Sequence, residues 1–267
     1  MSMMRKSKQL DDFLMSNIQV VYMQKKLLKK SDFHELIQLN QWEDIRRFLA
    51  RFDYSLRGEV TVETIDDLYQ DNLAKLEETL FQLNFPDEYL KVLFVKRDIF
   101  QKNQGTGYQN LDEKVLAEYS KYAQNGLHPI ISSYAKSRID EFFLNDYFRH
   151  SNHQITFKEY AYGNFSRADL DHLESLRLKE GIRWLQHSFY QDVFRDRFHP
   201  IELEKRFDNW LIENYQTYRY QTIGLEGIFT YSLEKVYELF NLRLILKSKL
   251  YHLPNKEVLE RVRTING

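Results

Sequence analysis

Apolar positions recur at intervals of three and four along almost the whole chain. Leu10, Leu14, Ile18 and Val21 form one stripe of a helix running to about Leu28. Asp32 with Glu35 and Asn40 with Glu43 have capping-box spacing and open two short helices. The second of these carries Ile45, Phe48, Leu49 and Phe52 on one face. From about Thr61 a long helix places Ile65, Tyr69, Leu73, Leu76, Leu80 and Leu83 on one side, and Pro86 suits the first turn of the next, which runs from Asp87 to about Asn103. Asn103 to Asn110, with two glycines and no apolar pattern, reads as a linker. Asn110 and Glu113 cap a helix ending near Gly126, and Pro129 starts one whose stripe is Ile131, Ala135, Ile139, Phe142 and Phe143. After a polar break at His150 to Gln154, Ser166 with Asp169 caps a helix to about Lys179, and Gly181 separates it from another through Phe198. Pro200 opens a helix with Leu203, Phe207, Trp210, Leu211, Tyr215 and Tyr218 inward; Gly224 to Leu250 is the most apolar helix, and Pro254 opens a last short one. No stretch alternates with period two, so the expected fold class is all-α.

The pattern also echoes itself. Asp32 to Tyr54 reads as short helix, short helix, tyrosine, and Ser166 to Tyr190 repeats that layout, each followed by a long striped helix and a more apolar one. Between them, Ile139-Asp140-Glu141-Phe142-Phe143 resembles Phe207-Asp208-Asn209-Trp210-Leu211. Tandem helical units explain such an echo.

Composition narrows the function classes. Glycine and proline together supply 13 of 267 residues, well under the average of roughly 12%, which disfavours sandwiches and barrels. Lys+Arg (38) and Asp+Glu (39) cancel to a net charge of −1, so the basic excess usual in a nucleic-acid binder is missing. With no cysteine, disulfides, thiol nucleophiles and cysteine-ligated metals are excluded. Met1 to Gln9 is basic but runs into Asp11-Asp12 rather than an apolar segment, and no uncharged apolar run reaches the ~18 residues of a spanning helix. Any membrane contact is therefore expected through a partner.

Enzyme signatures are sparse. Gly105-Thr106-Gly107 lacks the surroundings of a phosphate loop, and HExxH and GxSxG are missing. Asp146, His150 and His153 step by four and three and have metal-ligand spacing, with a solvated helix end as the plainer reading. Lys25, Lys26, Lys29 and Lys30 read either as a contact for phosphate or an acidic partner, or as a helix end favoured by the dipole. The 18 tyrosines and 19 phenylalanines lie on stripes and read as core. On the apolar helix from Gly224, Lys235, Glu238 and Asn241 step along one side at intervals of three, with Arg243 beside them. Polar groups there must be paired or line a wet surface. Two roles stay open for these four: holding the last repeat together, or lining a groove for a partner.

The stretch from Gly224 to Arg263 resembles the C-terminal end of the central-axis adaptor subunit of rotary V/A-type ATPases, called d in eukaryotic and C in archaeal and bacterial enzymes. The residues that carry the likeness are Gly224, Glu226, Tyr231, Lys235, Glu238, Asn241-Leu242-Arg243, Lys249 and Leu253-Pro254, in order and spacing. Gly227 stands where the family often has Pro, and Ser248 where it often has Gly. Leu27 to Phe33 and Phe52-Asp53-Tyr54 are similar to the family's opening pair of short helices and its closing tyrosine.

The resemblance implies about three tandem helical repeats arranged as a funnel or collar: residues 1–105, a shortened middle repeat at 106–160, and 161–267. It further implies a non-catalytic adaptor that links the central stalk subunits to the membrane rotor (proteolipid) ring, with no cofactor, no metal and no nucleic acid. Such a subunit would be peripheral, on the cytoplasmic face, and would touch the membrane only through the ring. Tyr54, Tyr190 and Tyr231 would close their repeats. Two rivals are a helical scaffold binding partner helices in a groove and a metal-dependent helical enzyme built on Asp146, His150 and His153.

Overall fold

The structure, a computed structural model, describes residues 13–102, 111–125, 128–149 and 158–265. Among them are twelve α-helices and no strand, so the chain is all-α as its periodicity predicts. In chain order these are α1 (Leu14–Gln24), α2 (Lys30–Gln38), α3 (Trp42–Ala50), α4 (Val62–Gln82), α5 (Asp87–Lys102), α6 (Leu111–Gln124), α7 (Pro129–Arg149), α8 (Arg167–Ser175), α9 (Leu178–Leu185), α10 (Leu203–Gln216), α11 (Glu226–Leu250) and α12 (Asn255–Arg261). Two 3₁₀ turns, Lys158–Tyr162 and Pro200–Glu202, complete the elements. The described residues group into two compact units, one within Met1–Pro86 and Leu211–Gly267, the other within Asp87–Trp210.

In the first unit α11 packs against α1, α2, α4 and α12. Its Ile228, Phe229, Leu233, Leu239, Leu242, Ile245 and Leu246 are buried, as are Ile65, Leu73, Leu76 and Leu80 of α4. Each such side chain contributes about 1.5–3 kcal/mol by leaving water. Local chemistry sets the helix ends. Thr61 Oγ1 accepts from the amide of Thr64 at 3.3 Å while Thr64 Oγ1 accepts from that of Thr61 at 2.9 Å, which starts α4. Asn84, at φ 56°, ends it with a Schellman turn: Phe85 N–H donates to Leu80 C=O and Asn84 N–H to Phe81 C=O. His252, at φ 55°, ends α11 in the same way through Leu253 N–H to Ser248 C=O.

In the second unit α5, α6 and α7 pack on one another, and the 3₁₀ turn Lys158–Tyr162 packs on α6 and α7. Ile131, Ala135, Ile139, Phe143 and Leu144 of α7 are buried. Aromatic rings fill much of this core: Phe143 lies 5.4 Å from Tyr160 and 5.9 Å from Phe165, and Tyr190 lies 5.0 Å from Phe207 and 4.8 Å from Trp210.

Several local expectations are corrected. The stripe Leu14, Ile18 is turned outward, and α1 instead buries Ser16, Asn17, Val20 and Gln24 and stops at Gln24 rather than Leu28. The reason is hydrogen bonding: Ser16 Oγ donates to Leu83 C=O at 2.9 Å, and Asn17 Nδ2 donates to Gly224 C=O at 2.8 Å. Asp32 is the third helical residue of α2, accepting from Lys29 N–H at 2.7 Å, and Gln41 rather than Asn40 precedes α3. Gly181 lies inside α9 and separates nothing. It is a close-approach glycine, because a Cβ there would overlap the hydroxyl of Tyr147. Residues 186–199 form turns where a helix to Phe198 is expected. Phe142 is only half-buried, with Leu144 inward in its place. The Ser166–Asp169 capping box is present, Ser166 Oγ accepting from Asp169 N–H at 3.2 Å. Leu10, the linker 103–110, Gly126 and the break at 150–154 lie outside the described residues.

Candidate functional site

Along α11 the residues singled out by spacing are all engaged within the first unit. Glu238 is fully buried. Its Oε2 accepts from Leu28 N–H at 2.6 Å, and its Oε1 accepts from Lys235 Nζ at 2.6 Å and from the Tyr54 hydroxyl. Lys235 Nζ also donates to the Tyr54 oxygen at 2.6 Å and stands 4.8 Å from the centre of its ring. Burial, followed by the Glu238 charge, raises the Tyr54 phenol well above its ordinary range, so it stays a donor. A buried carboxylate is tolerated because three donors surround it. The result joins the start of α2 and the chain after α3 to one point on α11.

Further along α11, Asn241 Nδ2 donates to Arg263 C=O at 3.0 Å and its Oδ1 accepts from Arg263 N–H at 2.9 Å, which pins the segment after α12. Arg243 Nε donates to Asp66 Oδ1 at 2.7 Å, and Lys247 Nζ donates to Asp66 Oδ2 at 2.9 Å. Burial pushes the Asp66 carboxyl up, but these two cations outweigh it and hold it below the usual range. Lys249 donates to the carbonyls of Ile37, at 2.9 Å, and Leu39, the unsatisfied end of α2. Gly227 has a packing reason for lacking a side chain: a Cβ would meet Asn17 Oδ1 and Gln221 C=O at 2.8 Å each.

The second unit contains a parallel arrangement. Asp140 of α7 is fully buried. Its Oδ2 accepts from Tyr190 Oη at 2.5 Å, Asn164 N–H at 2.8 Å and Asn164 Nδ2 at 2.9 Å. Burial raises this carboxyl to about 6, against the lowering effect of its donors. In each unit, then, an acid on a long helix takes a backbone N–H just before a pair of short helices and a tyrosine hydroxyl just after it. Leu28 to Tyr54 and Asn164 to Tyr190 are the same 26 residues apart. The echo read in the sequence therefore has a shared geometry at its two ends. Gly163 belongs to the second arrangement, since a Cβ there would overlap Asp140 Oδ1.

Sequence reasoning missed Asp140 and Asn164. The available signal was an acid at an inward position of the α7 stripe. It also missed the buried cluster around Arg138, whose Nη1 donates to Glu141 Oε2 at 2.6 Å and Asp208 Oδ1 at 3.0 Å, with Nε on Tyr134 Oη at 3.0 Å. In the first unit Tyr231 is buried near Glu238; burial, then the Glu238 charge, raises its phenol. Asp146 accepts from Tyr160 Oη at 2.8 Å, while His150 and His153 lie outside the described residues. Among the described residues no group of three or more His, Asp or Glu is placed to hold a metal ion, and no helix is long and apolar enough to cross a membrane.

What these carboxylates can do chemically is limited by their saturation. Their oxygens face donors of the chain itself, an arrangement that locks segments together. A family model described as ATP synthase (C/AC39) subunit matches residues 109–261, and among curated proteins none matches the chain. That match spans more than half of the chain and takes in both acids, Asp140 and Glu238, and so this protein belongs to the ATP synthase C/AC39 family, which includes the d subunit of V-type ATPases and its A-type counterpart.

Proposed function

We propose that this chain is the non-catalytic adaptor of a rotary V/A-type ATPase, seated peripherally on the cytoplasmic face and linking the central stalk to the membrane rotor ring. The family match over residues 109–261 is the observation that carries this reading. In it, torque passes through the helices, and the three-repeat layout (1–105, 106–160, 161–267) encloses a funnel for the stalk tip. Lys235, Glu238, Asn241 and Arg243 act as internal ties rather than partner contacts, a role supported by bonds that all end on residues of the same unit. Stiffness suits such a connector, and saturated buried ion pairs oppose local opening.

A partner surface is also needed, and α1 offers one. Its Leu14, Met15, Ile18 and Tyr22 are exposed at 40, 66, 40 and 65%, a run of apolar side chains that water disfavours and an assembly would cover. The test is native co-purification on the tagged chain followed by mass spectrometry. Stalk and proteolipid-ring subunits in fixed proportion are expected; a changing set of soluble helical clients without rotor subunits would overturn the reading in favour of a scaffold.

A further inference from the structure

The four lysines after α1 are not equivalent. Lys25 and Lys29, with Gln24, Arg219 and Tyr220, line a cavity of about 350 Å³ in the first unit, whereas Lys26 and Lys30 do not. Among the described residues no carboxylate lines it. Arg219 is partly offset, since Glu234 Oε2 lies 3.5 Å from its Nε. Lys25 and Lys29 have no ion pair among the described residues, so two positive charges face this hollow without a counter-charge.

Gln24 supplies the second observation. It is 3% exposed, and neither of its amide atoms has a hydrogen-bond partner among the described residues. An unmet buried amide destabilises the fold, a cost that a leucine of similar volume would avoid. A polar side chain kept there at that cost, on the wall of a cationic cavity, points to a ligand that satisfies it.

We propose that this cavity binds the phosphate group of a small soluble ligand. The donors come from three places, the last turn of α1, the residue before α2 and the segment after α10, and so approach from different directions. A tetrahedral dianion with several acceptor oxygens matches such a spread, whereas a planar monoanionic carboxylate would leave donors unused. Two uncompensated cations match the roughly −2 charge of a phosphate monoester. The volume accommodates one such group with a small substituent rather than a protein segment.

Isothermal titration calorimetry of the full chain with inorganic phosphate, at ionic strength balanced with chloride, tests this. Saturable one-to-one binding is expected, about tenfold weaker in Lys29→Glu and in Gln24→Leu, a factor that corresponds to one charge-assisted hydrogen bond. Lys26→Glu and Lys30→Glu should bind as the parent does. Because Lys29 is exposed, Lys29→Glu keeps the test valid even if Gln24→Leu folds poorly. Absence of saturable binding overturns the proposal, as does equal weakening by all three lysine variants with Gln24→Leu unaffected. Binding only to phosphatidylcholine vesicles doped with a phosphoinositide, or only to an acidic protein through Lys25 and Lys29, overturns it too.

Discussion

Tyr190 donates its phenolic hydrogen to Asp140 at 2.5 Å across 50 residues of chain, and Tyr54 does the same to Glu238 across 184. The two acids differ in reserve. Glu238 Oε1 also holds Lys235, whereas Asp140 is served by the amide groups of Asn164. Tyr190→Phe, which leaves a buried carboxylate one donor short, is expected to cost about 1–3 kcal/mol. Tyr54→Phe should cost less, because the lysine ammonium stays. Urea unfolding at neutral pH measures both, and a larger loss for Tyr54→Phe would contradict the argument.

Acid dependence follows from two raised carboxyls. Burial lifts Asp140 from 3.8 to about 6 and Glu234 from 4.5 to about 7. Between the lower and upper value of each pair the folded state binds more protons than the unfolded one, so stability falls as pH rises. The contribution of Glu234 is complete below about pH 4.5 and lost by about pH 7, on the order of 3 kcal/mol. Glu234→Gln should therefore flatten the stability curve between pH 5 and 7. An unchanged slope in that window would show that Glu234 ionises normally.

Helix existence was legible because Ile65, Leu73, Leu76 and Leu80 recur at strict helical spacing and are all buried. The direction of α1 was not, because its inward face is polar. Ser16 and Asn17 are chosen for carbonyls of Leu83 and Gly224, contacts 67 and 207 residues away that no local pattern encodes. Gly181 misled for a similar reason, since its meaning lies in the approach of Tyr147 and not in its own helix. On α11 the i,i+3 pairing of Lys235 with Glu238 could be read directly. Their third partner, Tyr54, depends on chain folding: the internal echo and the family likeness mark it as a closing tyrosine, but neither pairs it with Lys235 or Glu238.

Asn241 and Arg243 separate two kinds of tie. Asn241→Ala strips two buried hydrogen bonds from Arg263 and is expected to cost about 1–3 kcal/mol. Arg243→Ala breaks a half-exposed pair with Asp66, which keeps Lys247, and should cost under about 1 kcal/mol. Thermal unfolding ranks them, and partner capture by folded Arg243→Ala should match the parent. Weaker capture at full stability would move Arg243 from internal tie to partner contact.

Gly163 and Gly181 predict clashes with opposite remedies. Gly181→Ala drives a methyl group into the Tyr147 ring tip, and overpacking of this kind costs about 1–3 kcal/mol. Adding Tyr147→Phe removes the overlapping oxygen and should recover part of the loss. Gly163→Ala meets Asp140, whose position its donors fix, so replacing Asp140 cannot restore stability without losing the lock. Double-mutant cycles in urea give the coupling; additive effects at Gly181 and Tyr147 would disprove the contact.

The outward face of α1 gives the sharpest separation of folding from assembly. Met15 and Tyr22 are exposed at 66 and 65%, and a charge placed there meets water in the free chain. Met15→Glu and Tyr22→Glu are therefore expected to change stability by no more than about 0.5 kcal/mol. In a complex the same charges would be buried against a partner without an opposite charge, at a cost of about 2–5 kcal/mol per site, enough to weaken binding thirtyfold or more. Co-purification yield against unfolding midpoint is the measurement. Full recovery of rotor subunits by the double variant would remove α1 from the contact surface and leave the family assignment untouched, since the matched residues begin at 109.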